Sequence, residues 1–153
     1  MKPLDRPAFG WRDDARVPDF DDAFPLAVMD GDCALCCRGA RMIHRADNSG
    51  EIRIAAAGSP LGRALMAHFG MNPDDPESWL FLEDGLAWTG IDGMARVGAR
   101  CGGPLALIRA LTILPRPVRD WLYARIARNR IAIFGRAELC AIPDPAFRAR
   151  IIG

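Results

Sequence analysis

Three of the chain's five cysteines stand together in Cys33-Ala34-Leu35-Cys36-Cys37. The first two carry the i, i+3 spacing of a redox dithiol, in which one thiolate attacks a disulfide and a second thiol resolves the mixed disulfide. Placed at the start of a helix, such a pair meets the partial positive charge and free N–H groups that favour a thiolate. The expectation is that Cys33 is the exposed nucleophile and Cys36 the more buried resolving thiol. Asp30 and Asp32 flank the pair. Asp30 is a candidate for proton transfer to or from the dithiol, or for turn chemistry alone, and Asp32 for the helix cap. A two-cysteine mechanism leaves Cys37, Cys101 and Cys140 without a role.

A bare CxxC is also half of a zinc site, but no second ligand pair accompanies it. Cys101 and Cys140 are isolated, and His44 lies about 10 Å along the same helix from Cys37. Cysteines can also pack as small hydrophobes. Neither alternative accounts for a CxxC between a strand and a helix.

The elements around the cluster supply that placement. Leu26-Ala27-Val28-Met29 is a short continuous apolar run, the mark of a strand buried on both faces, and Asp30-Gly31-Asp32 is a turn. From Cys33 a helical pattern runs through Leu35, Gly39, Met42, Ile43 and Ala46 to the stop at Asp47-Asn48-Ser49-Gly50. Ile52-Arg53-Ile54 is a second strand. Ser59-Pro60 opens a second helix that Gly70 closes. Trp79–Leu82 and Leu86–Trp88 are strands joined by the hairpin signal Asp84-Gly85, with Trp79, Phe81 and Trp88 as packing residues. A helix from Ile91 ends near Cys101-Gly102-Gly103. The order β-α-β-α-β-β-α predicts an α/β fold of thioredoxin or glutaredoxin topology. Residues 1–24, rich in Pro, Asp and Arg, read as a loosely docked N-terminal arm. Residues 25–153 read as one domain whose C-terminal helical extension begins at about residue 104, with helical patterns over Pro104–Leu114 and Pro115–Arg128 and a short segment at Ile131–Gly135. His44 and His68 read as surface or packing residues.

Asp30-Gly31-Asp32-Cys33-Ala34-Leu35-Cys36 resembles the DxxCxLC signature of the DCC family of thiol-disulfide oxidoreductases. The resemblance continues through Ser59-Pro60-Leu61-Gly62 and the Trp79–Gly90 hairpin. It resumes at Pro115, Arg119-Asp120, Tyr123, Ala127-Arg128-Asn129-Arg130, Phe134-Gly135 and Cys140. It implies a thioredoxin-like fold, protein-disulfide reductase or related activity, Cys33 and Cys36 as the redox pair, and Asp30 as the motif's acidic residue. The nearest match to the proline that faces the dithiol in thioredoxin-like enzymes is Pro76, expected trans because Glu77 and Ser78 separate it from the strand.

Composition bounds the remaining function classes. The 153 residues are half hydrophobic, enough for a core and too rich for a disordered chain. No apolar run approaches a membrane span, and the first 25 residues lack the apolar stretch of a signal peptide. The odd number of cysteines fits a reducing, cytoplasmic setting better than a disulfide framework. No metal, flavin or nucleotide cofactor is implied. The expected partners are a disulfide-containing protein or small molecule and an electron donor that recycles the pair.

Charge is unevenly spread. Residues 96–153 hold eleven arginines against three acidic residues, whereas residues 26–95 hold five basic against ten acidic. No reader motif for nucleic acid accompanies the basic end. Val118, Trp121, Leu122 and Ile126, at i, i+3, i+4 and i+8, predict that the extension buries this stripe on the acidic body, with arginines reaching the Asp30–Cys36 region. The rival to a dithiol enzyme is a non-catalytic thioredoxin-like adaptor that binds a partner through its basic third.

Overall fold

A computed structural model describes residues 3–139 and 144–153, so Cys140 lies outside the described residues. The strands are β1 (Leu26–Met29), β2 (Arg53–Ala56), β3 (Leu80–Glu83) and β4 (Leu86–Thr89). The helices are α1 (Ala34–Ala46), α2 (Pro60–His68), α3 (Gly90–Cys101), α4 (Arg116–Phe134) and α5 (Pro145–Arg148). Up to Cys101 this is the expected β-α-β-α-β-β-α order of a thioredoxin-like core. β1 is buried at every residue, as its continuous apolar run requires. It pairs in parallel with β2 and antiparallel with β3, giving a mixed sheet of order β2-β1-β3-β4. Asp84 and Gly85 both adopt positive φ in the β3–β4 turn, the conformation a tight hairpin demands. Apolar clusters cover both faces of the sheet, one centred on Phe81, Ile54 and Cys37, the other on Leu26, Leu65 and Leu80.

The N-terminal segment differs from the loose leader its composition suggests. Trp11 is buried in the second cluster, and its indole N–H donates to Asp22 at 2.9 Å. The amides of Leu4 and Phe9 donate to the carbonyls of Ala87 and Gly85, so the segment runs along the β4 edge. Aromatic burial outweighs the polar composition around it. At the opposite edge, Ile54 exchanges backbone hydrogen bonds with Arg150 and Ile152 of the C-terminus.

Beyond α3 the chain forms a 3-10 helix over Gly103–Ile113 and then α4. The 3-10 segment presses on α3 at Gly98, where a Cβ would stand 2.2 Å from the Leu105 carbonyl oxygen. α4 continues through the short segment expected at Ile131 and ends at Gly135, whose φ of 79° breaks the helix.

The extension docks on the body, but with a different face from the one expected. Val118, Trp121, Leu122 and Ile126 stay exposed, Trp121 at 64%. The residues α4 buries are Arg119, Ala127 and Arg130. Two body carboxylates decide this. Arg119 pairs with Asp92 of α3, and Arg130 donates to Asp30 at 3.0 Å. A buried carboxylate without a cation costs more than an exposed apolar stripe. Replacing Arg119 with Ala should therefore cost about 3–5 kcal/mol, the range for breaking one partner of a buried ion pair. Trp121→Ser should change stability by under about 0.5 kcal/mol. Urea denaturation of both variants tests the docking face: the reverse ranking would mean that the apolar stripe carries it.

Candidate active site

The Asp30-Gly31-Asp32 turn carries the chain from β1 into α1. One oxygen of Asp30 accepts the Asp32 amide at 2.9 Å, closing an Asx turn, and the other accepts Arg130. Both oxygens of Asp30 are thus engaged in positioning. Asp32 is exposed and does not cap the helix; Cys33 holds the cap position, in extended conformation and without a side-chain cap bond.

The C-terminal chain explains why. After Gly135 it turns back across the start of α1 as a strap. Ala34 N–H donates to the Gly135 carbonyl, Ala137 N–H to Asp32 and Leu139 N–H to Gly31, while Cys33 and Arg136 form an isolated antiparallel bridge. The strap thereby takes up one of the helix's unpaired N-terminal donors. It also covers Cys33, whose exposure is 0%, while Cys36 is only partly buried. The expected order of exposure is reversed. Cys33 was expected to be open because it leads the helix; a segment 100 residues away shuts it in.

The two sulfurs remain electrostatically linked. The Cys36 thiol is pushed up to about 12, first by burial, then by the neighbouring Cys33 and its hydrogen bond to that sulfur, with Asp30 adding to the effect and Arg130 opposing it. Cys36 therefore keeps its proton at neutral pH and presents it to Cys33. Burial works against the charge of Arg130, but Asp30 and the two cysteines outweigh it and hold the guanidinium cationic. A cation, a carboxylate and two thiols thus share one partly desolvated corner.

Cys37, without an expected role, is a structural thiol. Its Sγ donates to the carbonyls of Ala137 at 3.4 Å and Gly31 at 3.6 Å, tying α1 to the strap, and burial raises its pKa. Cys101, the last residue of α3, packs against the same core cluster as Cys37. His44 packs edge-on against Phe147 and faces Asp144, and His68 faces Asp14, which agrees with packing roles. Among the described residues, no three His, Cys, Asp or Glu side chains converge as metal ligands.

The signal for two further site residues was faint. Tyr123 of α4 meets Ser78 through its hydroxyl at 3.0 Å, and Ser78 also accepts the Gly90 amide. Both residues line a cavity of about 460 Å³ enclosed by α1, α3, the 3-10 segment and α4, with Cys36 and Pro76 also in its wall. No peptide bond among the described residues is cis. Nor is any helix among them long and apolar enough to cross a membrane.

Known proteins agree with this architecture. A family model described as DCC1-like thiol-disulfide oxidoreductase matches residues 27–136. The chain is 32% identical to an uncharacterized Bacillus subtilis protein, YuxK, over 127 residues, covering 83% of this chain and 93% of the relative. It is 31% identical to a chloroplastic DCC family protein of Arabidopsis thaliana over 123 residues, covering 80% and 72% of the two chains. No solved structure matches the chain.

The raised pKa of Cys36 has a measurable sign. An ordinary cysteine reaches full thiolate, and constant alkylation rate, not far above its pKa of about 8.5. Iodoacetamide labelling of Cys36, located by mass spectrometry, should keep rising toward pH 12. A plateau near pH 9 would mean that neither burial nor Cys33 holds the proton.

Proposed function

This chain belongs to the DCC1-like thiol-disulfide oxidoreductase family, and on that premise we propose that it carries out dithiol–disulfide exchange through Cys33 and Cys36. The observation that carries this reading is the placement of the dithiol: Cys33 at the N-cap of α1, Cys36 in its first turn, and the Asp30–Arg130 pair beside them. Cys36 is a protonated thiol hydrogen-bonded to Cys33, the contact that an attacking and a resolving sulfur need. Arg130 places a cation within electrostatic reach of both sulfurs.

Cys33 thiolate attacks one sulfur of a substrate disulfide, forming a mixed disulfide and expelling the other half as a thiolate. Cys36 then attacks the Cys33 sulfur, its proton passes to the departing substrate sulfur, and a Cys33–Cys36 disulfide remains. Two electrons have moved from the dithiol to the substrate, and an external dithiol donor returns them. Asp30 acts as a positioning residue: its two oxygens hold the turn and Arg130, and its charge helps keep the proton on Cys36. The substrate is a disulfide of a protein or small molecule, and the setting a reducing compartment such as the cytoplasm.

A non-catalytic adaptor is the second reading, favoured by the exposed stripe of α4 and the covering of Cys33. The two readings part on trapping. Cys36→Ser should accumulate a mixed disulfide between Cys33 and 5-thio-2-nitrobenzoate or glutathione, visible as a mass increase, and Cys33→Ser should not. Multiple turnover by Cys36→Ser at the wild-type rate would remove Cys36 as the resolving thiol. Failure of the wild-type dithiol to react at all would favour the adaptor.

A further inference from the structure

Substrate access to the dithiol is restricted on the strap side. Cys33 is fully covered, and the strap is held by three backbone hydrogen bonds and by Leu139, itself 1% exposed. Cys36, the partner of Cys33, lines the cavity between α1, α3, the 3-10 segment and α4. The cavity thus reaches the redox pair at Cys36, the thiol hydrogen-bonded to Cys33.

Its chemistry is polarised. Ile91, Met94, Val97, Ile108, Leu111 and Leu122 are among the apolar side chains of its walls. Cys36 is joined there by Asp30, Arg130, Ser78 and the Tyr123 hydroxyl, and Asp30 and Arg130 are already paired with each other. At about 460 Å³ the space is of small-molecule size. Both sheet edges are meanwhile occupied, β4 by Leu4 and Phe9 and β2 by Arg150 and Ile152. A protein substrate finds no vacant edge there on which to add a strand.

We propose that the cavity is the substrate site, and that it takes a small disulfide with an extended apolar body, one sulfur lying against Cys36 of the redox pair. The proposal rests on the exchange function and narrows its substrate class. The apolar body fills the space between α3 and α4, and the disulfide meets the polar end. The dithiol exchanges with the bound disulfide: the second half leaves as a thiolate, the apolar half leaves as a thiol carrying the Cys36 proton, and a Cys33–Cys36 disulfide remains. The chain's electrons and the substrate's two sulfurs account for the whole exchange.

Ethyl, butyl and octyl 2-pyridyl disulfides provide the test, with the reduced full-length chain and release of 2-thiopyridone as the readout. Each buried methylene multiplies binding up to about fourfold, so the rate constant should rise at least about tenfold from ethyl to octyl. N-acetylcysteine, a free thiol, should show no such rise. Ile108→Trp, which fills the cavity, should flatten the octyl-to-ethyl ratio, whereas Leu107→Trp, at an exposed position, should preserve it. Binding of the unreactive octyl 2-pyridyl thioether, followed by titration calorimetry, separates the cavity from the chemistry. A flat ratio with a reactive Cys33 overturns the cavity site and leaves the exchange reading standing. Thioether binding abolished by Ile108→Trp, with no reaction of any disulfide, supports the site and defeats the exchange reading. Reduction of insulin disulfides with higher kcat/KM than the octyl reagent would overturn the substrate class.

Discussion

Arg130 reaches back 100 residues along the chain to Asp30, and both side chains are largely withdrawn from water. Charges in such a place are expensive, and pairing them rarely gains more than an apolar contact would. What the pair contributes is position. It anchors the end of α4 beside the turn that opens α1, and Gly135, a few residues on, sends the strap across Cys33. It also fixes a cation near two thiols and a carboxylate. Without it, the helix end, the strap and the electrostatics of the dithiol would have no common reference.

The same rule governs the rest of α4. A helix with Val118, Trp121, Leu122 and Ile126 along one side should turn that side inward if burial of apolar area were the only force. Asp92 and Asp30 on the body override it, because a buried carboxylate must be met by a cation, and Arg119 and Arg130 are the residues that meet it. The two requirements meet at Leu122 and Ile126, which stay partly exposed yet line the cavity. The cavity is thus a product of how α4 docks. Arginine contacts hold the helix, and its apolar residues are left to shape a space beside Cys36.

Around the sulfurs, burial and charge divide the labour. Burial keeps protons on Cys36 and Cys37, but only Cys36 directs its thiol toward Cys33; Cys37 spends its own on the carbonyls of Gly31 and Ala137. The third thiol of the cluster is therefore a fastener, and its neighbour a proton store.

Local interactions made much of this legible. The apolar run of β1, the Asp84-Gly85 turn, the Ser59-Pro60 helix start and the i, i+3 cysteines each depend on residues a few positions apart, and each is where the pattern put it. So is the placement of the CxxC between a strand and a helix, which needs nothing beyond residues 26–46. The exposure of Cys33, the capping of α1, the burial of Trp11 and the docking face of α4 could not be read the same way. Each depends on a segment distant in the chain: Gly135–Leu139 over Cys33, Asp22 and Phe69 around Trp11, Asp92 and Asp30 beneath α4. Periodicity reports which side chains prefer to leave water, and that was enough to place the dithiol at a helix start. Which surface covers it, and from which side a substrate can reach it, was decided by long-range pairing of charge and backbone, a choice that only the folded chain makes.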